Sequence, residues 1–294
     1  MTAKLIDYLK LVPKSIKALN VKNPLQLASS TAFFSVLAIP PILVILVSAI
    51  GIFVKPDYLN TEIFNRISAI MGGTESEELR KLFKGFNDFS GDTWASIGVF
   101  AFLLFIATNL FFLLELNINH IWDIPSETNV NFIQHLYGRL TSIFLLVIGG
   151  AVLILALSFD VAVSYIDEQI AYLLPEIKSY VVPLINQVFS LLTFGIWYTL
   201  LFKILPNTKL EWKPALFGGI IMALLFKLGQ GVISNVLISG SIKTVFAASG
   251  SIVLVMLFIF YTSFIFYFVA MLIKQYTILI GRPFKGLSNN KASH

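Results

Sequence analysis

This sequence predicts an all-α, polytopic membrane protein, and three observations carry that expectation. The chain has 294 residues, of which 57% are hydrophobic and only 13% charged. Its mean hydropathy is +0.84. A soluble domain carries about 25% charged residues, so about half of the polar coat that water requires is missing. That excludes a soluble enzyme and a disordered chain. The apolar residues gather into six stretches, each long enough for a helix to cross about 30 Å of hydrocarbon. Strands of a membrane barrel would be about ten residues long and would alternate apolar with polar. These stretches do not alternate, and unpaired backbone groups are costly in lipid, so each should be a helix.

The first 26 residues form a basic amphipathic segment. Leu5, Leu9, Val12, Ile16 and Leu19 share one helical face, with Lys10, Lys14 and Lys17 opposite. This is the pattern of a helix lying in the headgroup plane, and Pro13 is expected to kink it. No apolar run here ends in a small-residue cleavage site, so no cleavable signal peptide is expected and the first span serves as the insertion signal.

One transmembrane domain follows over 27–280, with spans at about 28–54, 96–115, 140–159, 183–205, 213–238 and 251–279. In the first, Ser29, Ser30 and Thr31 precede Phe33 and Phe34, then Pro40 and Pro41. Paired prolines remove two backbone donors, so this helix is expected to kink or break there, as a packing feature or as a hinge. Thr74 and Glu77 make a capping box in the loop after it, and Leu79, Leu82, Phe83, Phe86 and Phe89 line one face behind. The second span holds Asn109, which either lines a cavity or bonds across a helix interface. It ends in Glu115, Asn117, Asn119 and His120, which read mainly as interfacial. Between spans three and four, Ile166, Ile170, Leu173, Ile177 and Val181 repeat the amphipathic theme. These two loop segments either rest on lipid, capping the bundle, or gate a central cavity.

Span five carries the most informative residue, Lys227. Gly219, Ala223, Lys227, Gln230, Gly231 and Ser234 follow i, i+3, i+4 spacing and make one small-and-polar stripe. Small residues admit a close helix neighbour. An ammonium at that depth costs at least a few kcal/mol (about 2.5–3.5 on insertion scales) unless paired or hydrated. Either the stripe lines a hydrated pocket that contacts an anionic substrate, or Lys227 snorkels or pairs with a carboxylate such as Glu115. In span six, Tyr261, Thr262, Ser263 and Tyr267 are explained by aromatic packing with hydroxyl bonds between helices. Residues 281–294 form a tail.

An even number of spans puts both termini on one side, and the basic residues choose the side. Lys4, Lys10, Lys14, Lys17, Lys22, Arg139, Lys203, Lys209, Lys213, Lys274, Arg282, Lys285 and Lys291 fall on the terminal side. Lys55, Arg66, Arg80, Lys81, Lys84, Lys178 and Lys243 fall on the other. Both termini are therefore expected in the cytoplasm. The net charge of +5 is then a topology signal facing anionic headgroups, with no nucleic-acid partner implied.

Chemistry-bearing motifs are sparse. Cysteine is absent and the histidines are His120, His135 and His294, too few for a zinc hydrolase set. No Walker loop, Gly-rich nucleotide fingerprint or nucleophile elbow is present. We therefore expect no enzyme, metal or cofactor. No internal repeat is visible, so the inverted-repeat argument for a transporter has no support.

Three blocks resemble the YihY/BrkB family of bacterial inner-membrane proteins, once linked to ribonuclease BN. Ser29 to Gly51, SSTAFFSVLAIPPILVILVSAIG, is similar to the family's small-residue, paired-aromatic, Ser-Leu-x-Pro-Pro first span. Asn119-His120-Ile121-Trp122 running into Pro125 is similar to a Leu-Asn-x-Ile-Trp-Gly-x-Pro pattern. Lys203 to Gly219, KILPNTKLEWKPALFGG, is similar to a Tyr-x-x-x-Pro-Asn segment followed by Trp and a Pro-Gly-Ala helix start. The family's Tyr-Gly-Ser-Leu run is replaced here by Phe246-Ala247-Ala248-Ser249-Gly250, and its Trp-x-Tyr by Ile259-Phe260-Tyr261. Asn109 and Leu272 stand where the family often has a basic and an acidic residue. The resemblance implies a six-span inner-membrane protein connected with envelope integrity and lipid or glycolipid transport. The ribonuclease link has no chemical support: there is no acid–histidine constellation and no basic groove with stacking aromatics.

The expectation is thus a transporter-like bacterial inner-membrane protein that binds or moves an amphiphilic or anionic substrate. Lys227, Gln230, Ser234 and Asn109 would contact that substrate, and Pro40 and Pro41 would hinge the path. The alternative is a non-transporting scaffold of the envelope. Membrane lipids are the expected partners, and a homo-oligomer is open.

Overall fold

The computed structural model describes residues 10–51, 93–124, 139–152, 155–156, 159, 163, 175–238, 250–282 and 284. Among these residues there are seven helices and no strand. They are α1 (Leu11–Asn20), α2 (Pro24–Gly51), α3 (Thr93–Ile121), α4 (Arg139–Val152), α5 (Pro175–Ile204), α6 (Trp212–Ile238) and α7 (Gly250–Leu279). Five contain a stretch long and apolar enough to cross a membrane: Pro24–Ile42, Phe100–Ile121, Val181–Ile204, Trp212–Val232 and Val255–Leu279. The expected third span corresponds to α4, which is apolar but shorter over its described length.

Helix α7 is the hub. It packs against α1, α2, α3 and α6, while α2 pairs with α3 and α5 with α6. The residues it buries explain why: Phe266, Tyr267, Val269, Ala270, Met271 and Ile273 cover more than one face of the helix. A helix that is hydrophobic all round belongs inside. The outer helices show the reverse. On α6, Leu216, Ile220, Leu224, Leu228 and Val232 recur every four residues and are all exposed. Leu184, Val188, Leu192 and Ile196 do the same on α5. Continuous apolar stripes of this length are untenable in water, so lipid is the solvent for these faces.

Small residues set the closest approach. A Cβ built on Gly219 of α6 would lie 2.7 Å from the Gly195 carbonyl oxygen and 2.9 Å from the Thr199 amide nitrogen of α5. Only glycine lets these backbones meet. Ala223, one turn further along, is fully buried at 3.9 Å from where a Cβ on Gly195 would sit.

Two expectations need correction. Pro13 does not kink α1, because the helix starts at Leu11. Proline in the first turn removes an N–H that has no intrahelical partner anyway. One row of α1 docks on the bundle: Leu11, Ser15 and Leu19 are buried and α1 packs on α7, whereas Val12 and Ile16 of the expected apolar face are exposed. Finally, of the kink or break expected at Pro40 and Pro41, the break does not occur: α2 is one helix through both. Leu5, Leu9 and the capping box with its apolar face at 74–89 lie outside the described residues. The second amphipathic segment is described only from Pro175 onward, where it forms the start of α5.

Candidate functional site

The most ordered polar chemistry lies where α3 ends. Trp122 caps the helix and Asp123 follows at φ +54°. The Ile124 amide donates to the Asn119 carbonyl at 3.0 Å and the Asp123 amide to the His120 carbonyl at 3.4 Å. This is a Schellman ending, in which glycine usually takes the left-handed position. At the end of α7 glycine does so: Gly281 has φ +71° and the same pair of bonds to Ile278 and Thr277. An aspartate in that conformation costs about 1 kcal/mol or more, so its carboxylate has to return something.

It does so by holding two cations. The Lys274 ammonium of α7 donates to Asp123 Oδ2 at 2.5 Å and to the Ile121 carbonyl at 2.9 Å. Lys22, in the α1–α2 turn, donates to the other oxygen. The Lys274 side chain is 8% exposed and that of Asp123 46%. A lysine at a helix C-terminus also meets the negative end of the dipole and a free carbonyl. Burial works against the charged form of Asp123, but the two lysines outweigh it and hold its carboxyl below its ordinary value. Beside this clasp, Trp122 Nε1 donates to the Ala270 carbonyl at 2.8 Å. The indole stacks on Phe284 at 4.4 Å, so the tail begins packed against the bundle.

Above the clasp is a buried triad. Asn117 Nδ2 donates to Tyr267 Oη at 2.7 Å and to Thr31 Oγ1 at 3.2 Å, while Thr31 and Tyr267 are 2.5 Å apart. Thr31 spends its one proton on the Leu27 carbonyl at 2.9 Å. It therefore accepts from Tyr267, which binds α2, α3 and α7 through one hydroxyl hub. On the other side of α3, Asn119 Oδ1 accepts the Asn207 amide at 3.0 Å, tying the α5–α6 connection to the same level. Glu115, one turn up, is buried and faces the Asn207 side chain. Among the described residues no group of His, Asp or Glu could hold a metal ion.

The candidate residues named from sequence are placed as follows. Lys227 is half-buried on α6, with Nζ 5.9 Å from the Phe194 ring centre of α5. Among the described residues no carboxylate lies within ion-pair distance of it. Gln230 and Gly231 are exposed. Ser234 is in the helix, but its side chain lies outside the described residues. The stripe thus divides: Gly219 and Ala223 pack on α5, while Gln230 and Gly231 are exposed. Asn109 is half-buried on α3, which packs on α2 and α7, whereas α6 packs on α5 and α7. The structure does not gather Asn109 and Lys227 at one helix interface. Pro40 is half-buried and Pro41 buried within α2.

Sequence reasoning missed the clasp. Lys22 and Lys274 entered only as topology signals, and Asp123 was not singled out. Asn117 read as interfacial is in fact buried. The available signal was an acid placed directly after an apolar helix end, at the position where glycine is usual.

No curated protein and no solved structure matches the chain. A family model described as "Virulence factor BrkB" matches residues 15–277. That match runs from α1 through α7 and takes in the Ser29–Gly51 span, the Asn119–Trp122 helix end and the Asn207 connection described above. The chain therefore belongs to the BrkB family of membrane proteins.

Proposed function

We propose that this BrkB-family chain is a transporter-like protein of the bacterial inner membrane that binds or moves an amphiphilic or anionic substrate. One observation carries the reading. Lys227 lies about 22 Å along α6 from Trp212, at 1.5 Å per residue. It sits inside the apolar stretch Trp212–Val232, about 8 Å from its nearer end, with no carboxylate within ion-pair distance among the described residues. A cation at that depth needs an anion, water or a ring face, and the Phe194 face alone supplies about 1–2 kcal/mol. Gln230, one turn away and exposed, adds a donor and an acceptor on the same helix. The distribution of Lys and Arg supports cytoplasmic termini. No enzymatic role, cofactor or nucleic-acid partner belongs to this reading.

A second reading has its own observation. Gly219 and Ala223 spend the first two residues of the stripe on packing against α5, as a non-transporting envelope scaffold would require. Native mass spectrometry of the protein in mild detergent, beside Lys227→Ala, separates the two. A discrete anionic ligand retained by the parent and lost from the folded variant supports substrate handling. Identical adducts on both proteins assign the stripe to packing and overturn the first reading.

A further inference from the structure

Arg139 opens α4, and the charge pattern alone would leave it at the membrane surface. The structure puts it elsewhere. Its guanidinium donates to Thr108 Oγ1 at 3.0 Å. It also lies over the rings of Phe105 and Phe112, at 4.7 and 5.7 Å from their centres. These three residues are interior to the apolar stretch Phe100–Ile121 of α3. At 1.5 Å per residue, Thr108 is about 12 Å from one end of that stretch and about 20 Å from the other. The cation is therefore inside the hydrocarbon layer, about 12 Å from the nearer end of that stretch.

Thr108 can do little to neutralise it. The hydroxyl is within reach of the Leu104 and Phe105 carbonyls at 2.9 and 3.0 Å, so its proton is committed and it offers Arg139 a single acceptor. A guanidinium has five N–H donors in a planar fork. Among the described residues no carboxylate pairs with it. Two aromatic faces orient the fork without using its donors.

The surroundings specify the counter-ion. Phe105, under the guanidinium, and Leu140 and Phe144 on α4 are 53%, 52% and 54% exposed. A free anion would reach this depth with no apolar contact to offset its desolvation, whereas a phosphodiester drawn in from the nearer end brings acyl chains that those three side chains can cover. We infer that Arg139 and Thr108 form a lipid site on the α3–α4 face, in which the guanidinium binds the phosphate of an anionic phospholipid bidentately. The inference does not depend on the role given to Lys227, which lies on α6.

The test is a titration of the full, delipidated chain in mild detergent, read by native mass spectrometry. The probes are phosphatidylglycerol, a diacylglycerol of the same chains, and inorganic phosphate. The parent should bind one phosphatidylglycerol at least about tenfold more tightly than the diacylglycerol, and inorganic phosphate should not displace it. Arg139→Gln should lose about tenfold in phosphatidylglycerol affinity, the scale of one charge-assisted contact. Should that variant not fold, Arg139→Lys and Thr108→Val carry the test, each expected to weaken binding about threefold by removing the fork or its anchor. Lys227→Ala should leave this adduct unchanged even where it strips another ligand. Equal binding of diacylglycerol, displacement by phosphate, or full affinity in folded Arg139 variants would each overturn the site. So would a dimer whose interface covers Phe105 and Phe144 with Arg139 unreached by lipid.

Discussion

Asp123, in a left-handed conformation at the end of α3, receives the buried Lys274 ammonium of α7 at 2.5 Å. The pair joins the hub helix to the end of α3, and Lys22 extends it to the turn that leads into α2. Breaking a buried pair by removing one partner costs about 3–5 kcal/mol. Asp123 is half-exposed, so solvent screens part of that and about 1–3 kcal/mol is the better expectation. Asp123→Asn keeps the left-handed preference and loses only the charge. Asp123→Ala loses both, and so should be the less stable of the two by about 1 kcal/mol. Apparent melting temperatures in detergent should rank parent, then Asn, then Ala. Equal values for all three would mean that the clasp contributes nothing.

The same carboxylate predicts a pH dependence. Burial opposes its charged form, but Lys22 and Lys274 outweigh burial, and its pKa in the folded state is depressed below the ordinary value. A depressed folded pKa stabilises above the unfolded value, about 3.9, and that stability is lost as pH falls through the folded one. The clasp should thus be fully present at pH 7 and at pH 5, and should weaken only below about pH 4. Melting temperatures of the parent and Asp123→Asn should converge as pH falls below that point. Convergence already at pH 6 would assign the difference to another group.

Tyr267 binds α2 and α3 to the hub through one hydroxyl. Hydrogen bonds between membrane helices average about 0.6 kcal/mol and reach about 1.7, because the unfolded chain in lipid also finds partners. The buried Thr31–Tyr267–Asn117 cluster belongs toward the upper end, since its groups have no water to fall back on. Tyr267→Phe should cost about 1–2 kcal/mol, and Thr31→Val similarly. The two should couple by about 1 kcal/mol in a double-mutant cycle. Additive effects would show that the two hydroxyls act separately.

Much of this fold was legible because lipid imposes a simple rule. A run that must bury its own backbone polar groups is read directly from apolar length, and α6 begins and α7 ends within a residue of where hydropathy put them. What sequence could not supply was which row of each helix meets a neighbour. In lipid the outward face is as greasy as the inward one, so Leu224 and Met222 look alike although one is exposed and the other buried. The clasp was hidden for a related reason. Lys22, Asp123 and Lys274 are far apart in the chain, and each had a sufficient local explanation as an interfacial charge.

The division of the α6 stripe gives a test that needs no knowledge of a substrate. The chain has no cysteine, so single cysteines report one position each. Ala223 is fully buried against α5, and Ala223→Cys should not react with a membrane-impermeant maleimide. Gln230 is exposed on the same helix about two turns further along, and its surroundings decide what it faces. If Lys227 lies in a hydrated opening, Gln230→Cys should label, and an anionic amphiphile bound at Lys227 should slow that labelling several-fold. A Gln230→Cys that is as inert as Ala223→Cys, in a protein that melts normally, would place position 230 in lipid. Lys227 would then be a snorkelling cation over Phe194, and the packing reading of α6 would stand.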